Sequence, residues 1–282
     1  MSSGRESTRN WPSSYLAALC LSFDVDGIYG EANYQPASNT YALSQTEYDE
    51  TGAIRLLEML ADFDVRSTFC WVGKVAEENP ALVHRAFEDG HEIALHTWDH
   101  RYLDQMSDDE QRLDFRRTLK TLRDITGETP TGHKTGGWRY NTATHAIAQE
   151  LGLAWIMDIP NGDLPTIQLP DPKRLPLVNL PPAAHYDDYN FFVDKMLTPQ
   201  AAFEFWRDDL DVLRDEGKLM CLTMHPFVSG RPGPSRAIAR LIEYAIDAGD
   251  IWFARADEIA RWWLERHRSS LGSLNDFDDQ VD

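Results

Sequence analysis

The chain has 282 residues, 42% of them hydrophobic, enough apolar material for one large α/β domain with a full core. Its formal net charge of −19 creates a field that repels phosphate backbones and anionic headgroups, so neither nucleic acid nor a membrane surface is an expected partner. Cys20, Cys70 and Cys221 each sit in an apolar run (ALCLSF, TFCWV, MCLTM), too few and too scattered for a disulfide framework, and read as buried thiols in a reducing compartment.

Residues 1–14 are polar with Pro and Ser and read as a mobile N-terminal arm. The apolar stretch 15–23 runs directly into FDVDG without a small-residue cleavage site, so it reads as a first core strand and not as an export signal; the expected location is the cytoplasm. No apolar run has the length needed to span a bilayer. Beyond strand 16–23, the pattern predicts a helix over 51–63, a strand over 66–72, a helix over 80–88 closed by Gly90, and a strand over 92–95. A long helix over 108–125 opens on Ser107 and stops near Gly127. Then come a helix over 142–151, strands over 154–157 and 174–180, a helix over 200–215, a strand over 218–224, a helix over 235–248, a strand over 251–254 and a helix over 257–263. Residues 269–282 are small and acidic and read as a flexible tail, leaving 15–268 as a single catalytic domain. About seven alternating βα units imply parallel strands and a closed or nearly closed barrel, with its chemistry at the strand C-termini.

Three strands end in chemically capable residues. The first ends in Asp24-Val25-Asp26-Gly27, the second in His96-Thr97-Trp98-Asp99-His100, the third in His225-Pro226. Asp24 and Asp26 share one side of an extended segment, so one carboxylate can hold a cation while the other takes a proton. On a helical turn, the two imidazoles of HTWDH would face one way and, with an Asp of the other strand, make a two-His, one-carboxylate set with positions left open. His225 is a candidate general acid. His91, at the opposite end of its strand, reads as structural.

In FDVDG, HTWDH, LTMHPFVSGRP and GDIWFARADEIARWW the chain resembles the polysaccharide deacetylase superfamily, family four of the carbohydrate esterases, with homology to chitooligosaccharide deacetylases. The resemblance runs from about residue 19 to residue 263. It is strongest to an intracellular branch that includes cyclic imide hydrolases and allantoinase-like enzymes. It implies an irregular (β/α)7 barrel, Asp24 as general base, Asp26, His96 and His100 as metal ligands, and His225 as general acid. It also implies one divalent metal ion, with zinc first and nickel, cobalt or manganese compatible with the same ligands. The family's third motif carries an Arg closely followed by Pro; here GHKTGGWRY places Lys134 at the Arg position and Gly136 near the Pro, with Arg139 a few residues on. Lys supplies the charge without the bidentate fork. Where the family has Asp-Ser-Ser after a strand, this chain has Ile156-Met157-Asp158. HYDDYNFF resembles the family's paired Asp before aromatics, which makes Asp187 and Asp188 pocket candidates.

Trp98, Trp138 and Arg139 join them as expected substrate-binding residues, within an aromatic rim of Tyr29, Tyr34, Trp98, Trp138, Tyr186, Tyr189 and Phe191. The leading expectation is a metal-dependent hydrolase of non-peptide C–N bonds that takes a small amide or cyclic imide. Competing expectations are a de-N-acetylase of N-acetyl sugars and a non-catalytic ligand-binding barrel; a homo-oligomer is left open.

Overall fold

A computed structural model describes residues 10–33 and 36–268. The expected acidic tail, Tyr34 and residues 1–9 of the expected arm lie outside the described residues. The rest of that arm is anchored. Trp11 is 2% exposed, tilts against Trp252 and Trp263, and donates its indole N–H to the carbonyl of Gly217 at 3.0 Å. The three packed rings hold this part of the arm against the body of the domain.

The described strands form one sheet: β1 (Ala17–Val25), β2 (Thr68–Trp71), β3 (Glu92–Leu95), β4 (Gly132–His133), β5 (Trp155–Ile156), β6 (Thr166–Gln168), β7 (Leu177–Asn179), β8 (Leu219–Met224) and β9 (Ile251–Phe253). Their order is β6-β7-β5-β4-β3-β2-β1-β8, with β9 pairing the first residues of β1. All pairings are parallel except β6 with β7. The sheet curls into a half-barrel. Between its ends, an isolated bridge joins Asp187 to Thr223, and Leu219 N–H reaches the carbonyl of Asp163 at 2.9 Å. This is the α/β architecture expected from the sequence, in irregular form.

β1 explains how the site is placed. Its residues alternate between two cores, as side chains of a strand must. Leu19, Leu21 and Phe23 pack with Leu56, Leu57 and Leu60 of the helix Asp49–Asp62, while Ala18 and Cys20 join Cys70, Ala94 and Cys221 in the second core. Continuing the second set past Cys20 gives Ser22 and then Asp24, so the face that is small and apolar low in the barrel becomes polar at the strand end. The helix Asp108–Thr126 carries a full capping box, Ser107 with Glu110, and closes on Gly127 in the left-handed region at φ 78°.

Elsewhere the expected strand spans shrink. The stretch 154–157 retains only β5, and 174–180 only β7, while β4 and β6 were not anticipated. β4 is a Gly-His pair too short for any periodicity. Its glycine is required, because a Cβ on Gly132 would sit 1.7 Å from the indole of Trp155.

Candidate active site

Asp24 and Asp26 are each 3% exposed at the end of β1. Lys134, 1% exposed, places Nζ 2.8 Å from Asp24 Oδ2 and 3.0 Å from Oδ1, and also donates to Thr223 Oγ1 at 2.9 Å and Ser22 Oγ at 3.3 Å. The ammonium thus lies within reach of Asp24, as its position in the third motif implied. Burial pushes the Asp24 carboxyl up, but Lys134, through its charge and its hydrogen bond, acts together with the neighbouring His96 and His225 to bring it down to about 2. Buried with its acid, Lys134 stays protonated: burial opposes the charge, and the charge and hydrogen bond of Asp24, with Cys70 and Asp187 nearby, together overcome it.

HTWDH is not the helical turn expected. It is a loop in which Thr97 (φ 64°) and His100 (φ 60°) take left-handed conformations, uncommon for non-glycine residues and most of all for a β-branched one. The turn is stabilised from several sides. Thr97 Oγ1 accepts His100 N–H at 2.9 Å, Asp114 Oδ1 accepts Trp98 N–H at 2.9 Å, and the carbonyls of Thr97 and Trp98 take the N–H groups of Gly73 and Lys74 at 2.9 Å each. The outcome is still convergent. His96 Nε2 lies 3.4 Å from Asp26 Oδ1, and His100 Nε2 lies 3.7 Å from Asp26 Oδ2. His96 Nδ1 is 2.8 Å from the carbonyl of Lys134, which puts the ring proton on Nδ1 and leaves the Nε2 lone pair pointing at Asp26. Burial holds both imidazoles below their ordinary pKa, His100 at about 4, so they are neutral and able to ligate.

These three residues fit a divalent cation. Their ligand atoms all lie within 4.8 Å of one another, and Asp26 Oδ1 is buried with no hydrogen-bond partner among the described residues. A carboxylate oxygen so placed carries a desolvation cost that a cation would offset. Asp187, Asp188 and His225 form a second group at similar spacing, but Asp188 is already saturated. Its Oδ1 pairs with His225 Nδ1 at 2.7 Å, and its Oδ2 accepts His225 N–H at 2.8 Å together with the Ser229 hydroxyl. Asp188 therefore orients the imidazole. Burial would lower the pKa of His225, but the charge and hydrogen bond of Asp188, with Asp187 and Asp26 nearby, together raise it well above the ordinary histidine range. His225 Nε2 faces the site, 3.8 Å from Asp26 Oδ2.

A cavity of about 370 Å³ opens over this group, lined by Asp24, Asp26, His96, His100, Lys134 and His225 at its floor and by Tyr102, Trp138, Tyr189 and Phe227 among its walls. Asp187 also lines it, its carboxyl raised to about 6 by burial. Trp98 does not line it: the ring packs where a Cβ on Gly73 would come within 2.4 Å and lies under the Arg117 guanidinium at 3.6 Å. Arg139 is also elsewhere, bonded to Asp104 at 2.7 Å and stacked on Tyr102, so it does not substitute for Lys134. Of the expected rim, Tyr29, Tyr186 and Phe191 are not on the cavity wall; Tyr29 and Tyr186 bond Glu78 and Asp209, and Phe191 packs on Trp206. Tyr102, Phe227, Thr223 and Glu31 were not anticipated. His91 is structural as expected, its Nδ1 accepting Ser67 N–H at 3.1 Å.

The polysaccharide deacetylase family pattern matches residues 41–156, a span that includes His96, His100 and Lys134 and stops short of Asp187 and His225. A Mycobacterium smegmatis structure that carries the polysaccharide deacetylase name is 30% identical, with a TM-score of 0.83 over 92% of this chain and 93% of that one. The chain belongs to the polysaccharide deacetylase family. Within this family of hydrolases it is also similar to Puue allantoinase, 25% identical at a TM-score of 0.83 over 92% of this chain and 94% of the other. The peptidoglycan-N-acetylglucosamine deacetylase PgdA of Listeria monocytogenes is 33% identical over 106 residues, which is 36% of this chain. The match spans only 22% of the length of that relative.

Proposed function

We propose that the chain is a metal-dependent hydrolase of non-peptide C–N bonds acting on a small amide or cyclic imide. The observation that carries this reading is the buried Asp26 carboxylate facing the His96 and His100 imidazoles, its Oδ1 without a hydrogen-bond partner among the described residues, beside a second buried carboxylate held by Lys134. Asp26, His96 and His100 would hold the cation, with zinc favoured by two imidazoles and one carboxylate. Once bound, it would polarise the scissile carbonyl and bring the pKa of a nearby water to roughly 7.

Asp24 takes a proton from the attacking water. Lys134 keeps that carboxylate ionised and fixes its orientation through contacts to both oxygens. His225 approaches from the end of the neighbouring parallel strand β8, protonated through Asp188, and gives its proton to the departing nitrogen, which is otherwise a poor leaving group. The products are a carboxylate and an amine or amide. The aromatic walls suit a compact, flat ring, and the likeness to an allantoinase across nearly the whole chain supports this substrate class. We place the activity in the cytoplasm, in keeping with three buried free thiols.

A second reading, de-N-acetylation of N-acetylated sugars, is favoured by the deacetylase names of the curated relatives. Aromatic walls serve a sugar ring as well, so the substrate assay decides between the two. Purified chain reconstituted with zinc, nickel, cobalt or manganese is assayed on succinimide- and hydantoin-like rings and on N-acetylglucosamine oligomers. Ring opening that requires the metal is the expected result. Deacetylation of the oligomers with no ring opening would replace the first reading by the second, and turnover independent of Asp24 would remove both.

A further inference from the structure

Asp49 is 4% exposed and begins the helix Asp49–Asp62, yet it does not cap that helix. An acidic residue at a helix start ordinarily accepts the free N–H groups of its own first turn. Here both oxygens leave the helix: Oδ2 accepts Gly27 N–H at 2.6 Å and Oδ1 accepts Phe227 N–H at 3.0 Å. Gly27 directly follows Asp26, and Phe227 lies two residues after His225. One buried carboxylate therefore ties the loop of the cation ligand to the loop of the acid.

The helix is built to keep that carboxylate in place. A Cβ on Gly52 would fall 1.9 Å from the carbonyl oxygen of Pro226, and one on Gly230 would fall 2.2 Å from the Cα of Gly52, so the first turn lies directly on the backbone of the His225 loop. Arg55 then donates to the carbonyl of Gly230. Asp49, Gly52 and Arg55, spaced three apart on one face, all address the same loop. Asp114, Asp158 and Asp188 likewise accept backbone N–H groups from Trp98, Thr135 and His225, but each of these holds a single site loop.

We infer that Asp49 is a positioning residue that sets the separation between Asp26 and His225. This rests on the roles given to those two residues above. The test uses the full chain with Asp49→Asn, which can accept one of the two N–H groups but not both, and Asp49→Ser should the first variant fail to fold. In the unaltered chain the Gly27 and Phe227 amides exchange slowly with deuterium. In the folded variant at least one of them exchanges faster, and the imidazole ¹⁵N resonances of His225 shift. With a turned-over amide or imide, kcat falls by about tenfold to a hundredfold while KM stays within about twofold, as expected when an acid is misplaced and ground-state binding is retained. Exchange and His225 resonances need neither metal nor substrate, so they decide Asp49 even if the hydrolase reading fails. Unprotected amides in the unaltered chain, or His225 resonances that do not move in a folded variant, overturn the inference.

Discussion

β1 runs in register with β8 from Ala18 to Phe23 and with β2 from Ser22 to Val25, whereas β4 meets β5 only at Gly132 and His133 and meets β3 only at His133. On the first flank, ladder hydrogen bonds carry Asp24 to the rim, and β8 leads directly into His225. On the second flank the ladder is too short to set a direction, and side chains hold the backbone. Asp158, fully buried, accepts Thr135 N–H at 2.8 Å, Thr135 Oγ1–H at 2.9 Å and a bond from His145 at 3.0 Å. Asn179 receives the N–H groups of Asp158 and Ile159 at 3.3 and 3.0 Å and returns a bond to the Ile159 carbonyl. A strand-held residue can be changed with the backbone left where it is, while a residue held by side chains moves when its partner is removed.

The largest effects are expected on the strand-held flank. Asp26→Asn loses the cation and turnover together. Asp24→Asn abolishes turnover with cation content near one per chain, since Asp24 pairs with Lys134 and is not among the three proposed ligands. Metal analysis beside activity separates the two variants, and equal cation loss in both would break the division of labour.

Lys134→Met reaches across from the other flank and lowers kcat by about tenfold to a hundredfold, the loss expected for one positioned charged partner. Steady-state kinetics on the folded variant measure it; an unchanged kcat would mean Asp24 needs no counter-charge.

Stability then sharpens the contrast. Asp158→Ala leaves Thr135 N–H and Oγ1–H and His145 without their acceptor and costs about 2–4 kcal/mol. Ser22→Ala, on β1, removes one hydroxyl that donates to the Leu222 carbonyl and accepts from Lys134, which keeps Asp24 and Thr223, and costs about 1 kcal/mol. Denaturant midpoints compare them, and equal losses would show that the short strands need no side-chain support. The smallest effect belongs to Arg139→Ala: its ion pair with Asp104 is partly exposed, so stability changes by less than about 1 kcal/mol and kcat/KM by less than about twofold. A large kinetic loss there would return Arg139 to the site.

The same division explains what could be read along the chain. The strand-held residues, Asp24, Asp26, His96 and His225, follow apolar runs, and the end of such a run is visible locally. Lys134 could be placed only through the family's third motif, because Gly-His before it carries no strand signal. Trp98 and Arg139 have the right chemistry and the wrong direction: Trp98 turns under Arg117 and Arg139 toward Asp104. Asp49 gave no signal at all, since the pattern began the helix at residue 51 and an acid just ahead of a helix reads as an ordinary end.

The sequence by itself determined the parallel α/β order, the buried thiols, the capped helix Asp108–Thr126 and the strand ends where metal-ligand residue types gather, because each depends on neighbours a few residues away. Only the tertiary structure decided that Asp188 grips His225 from 37 residues away, that Lys134 meets Asp24 across 110, and that Asp49 joins Gly27 to Phe227 across 22 and 178. Those pairings follow from which strand ends and loops the curled sheet brings side by side, and no local periodicity carries that information.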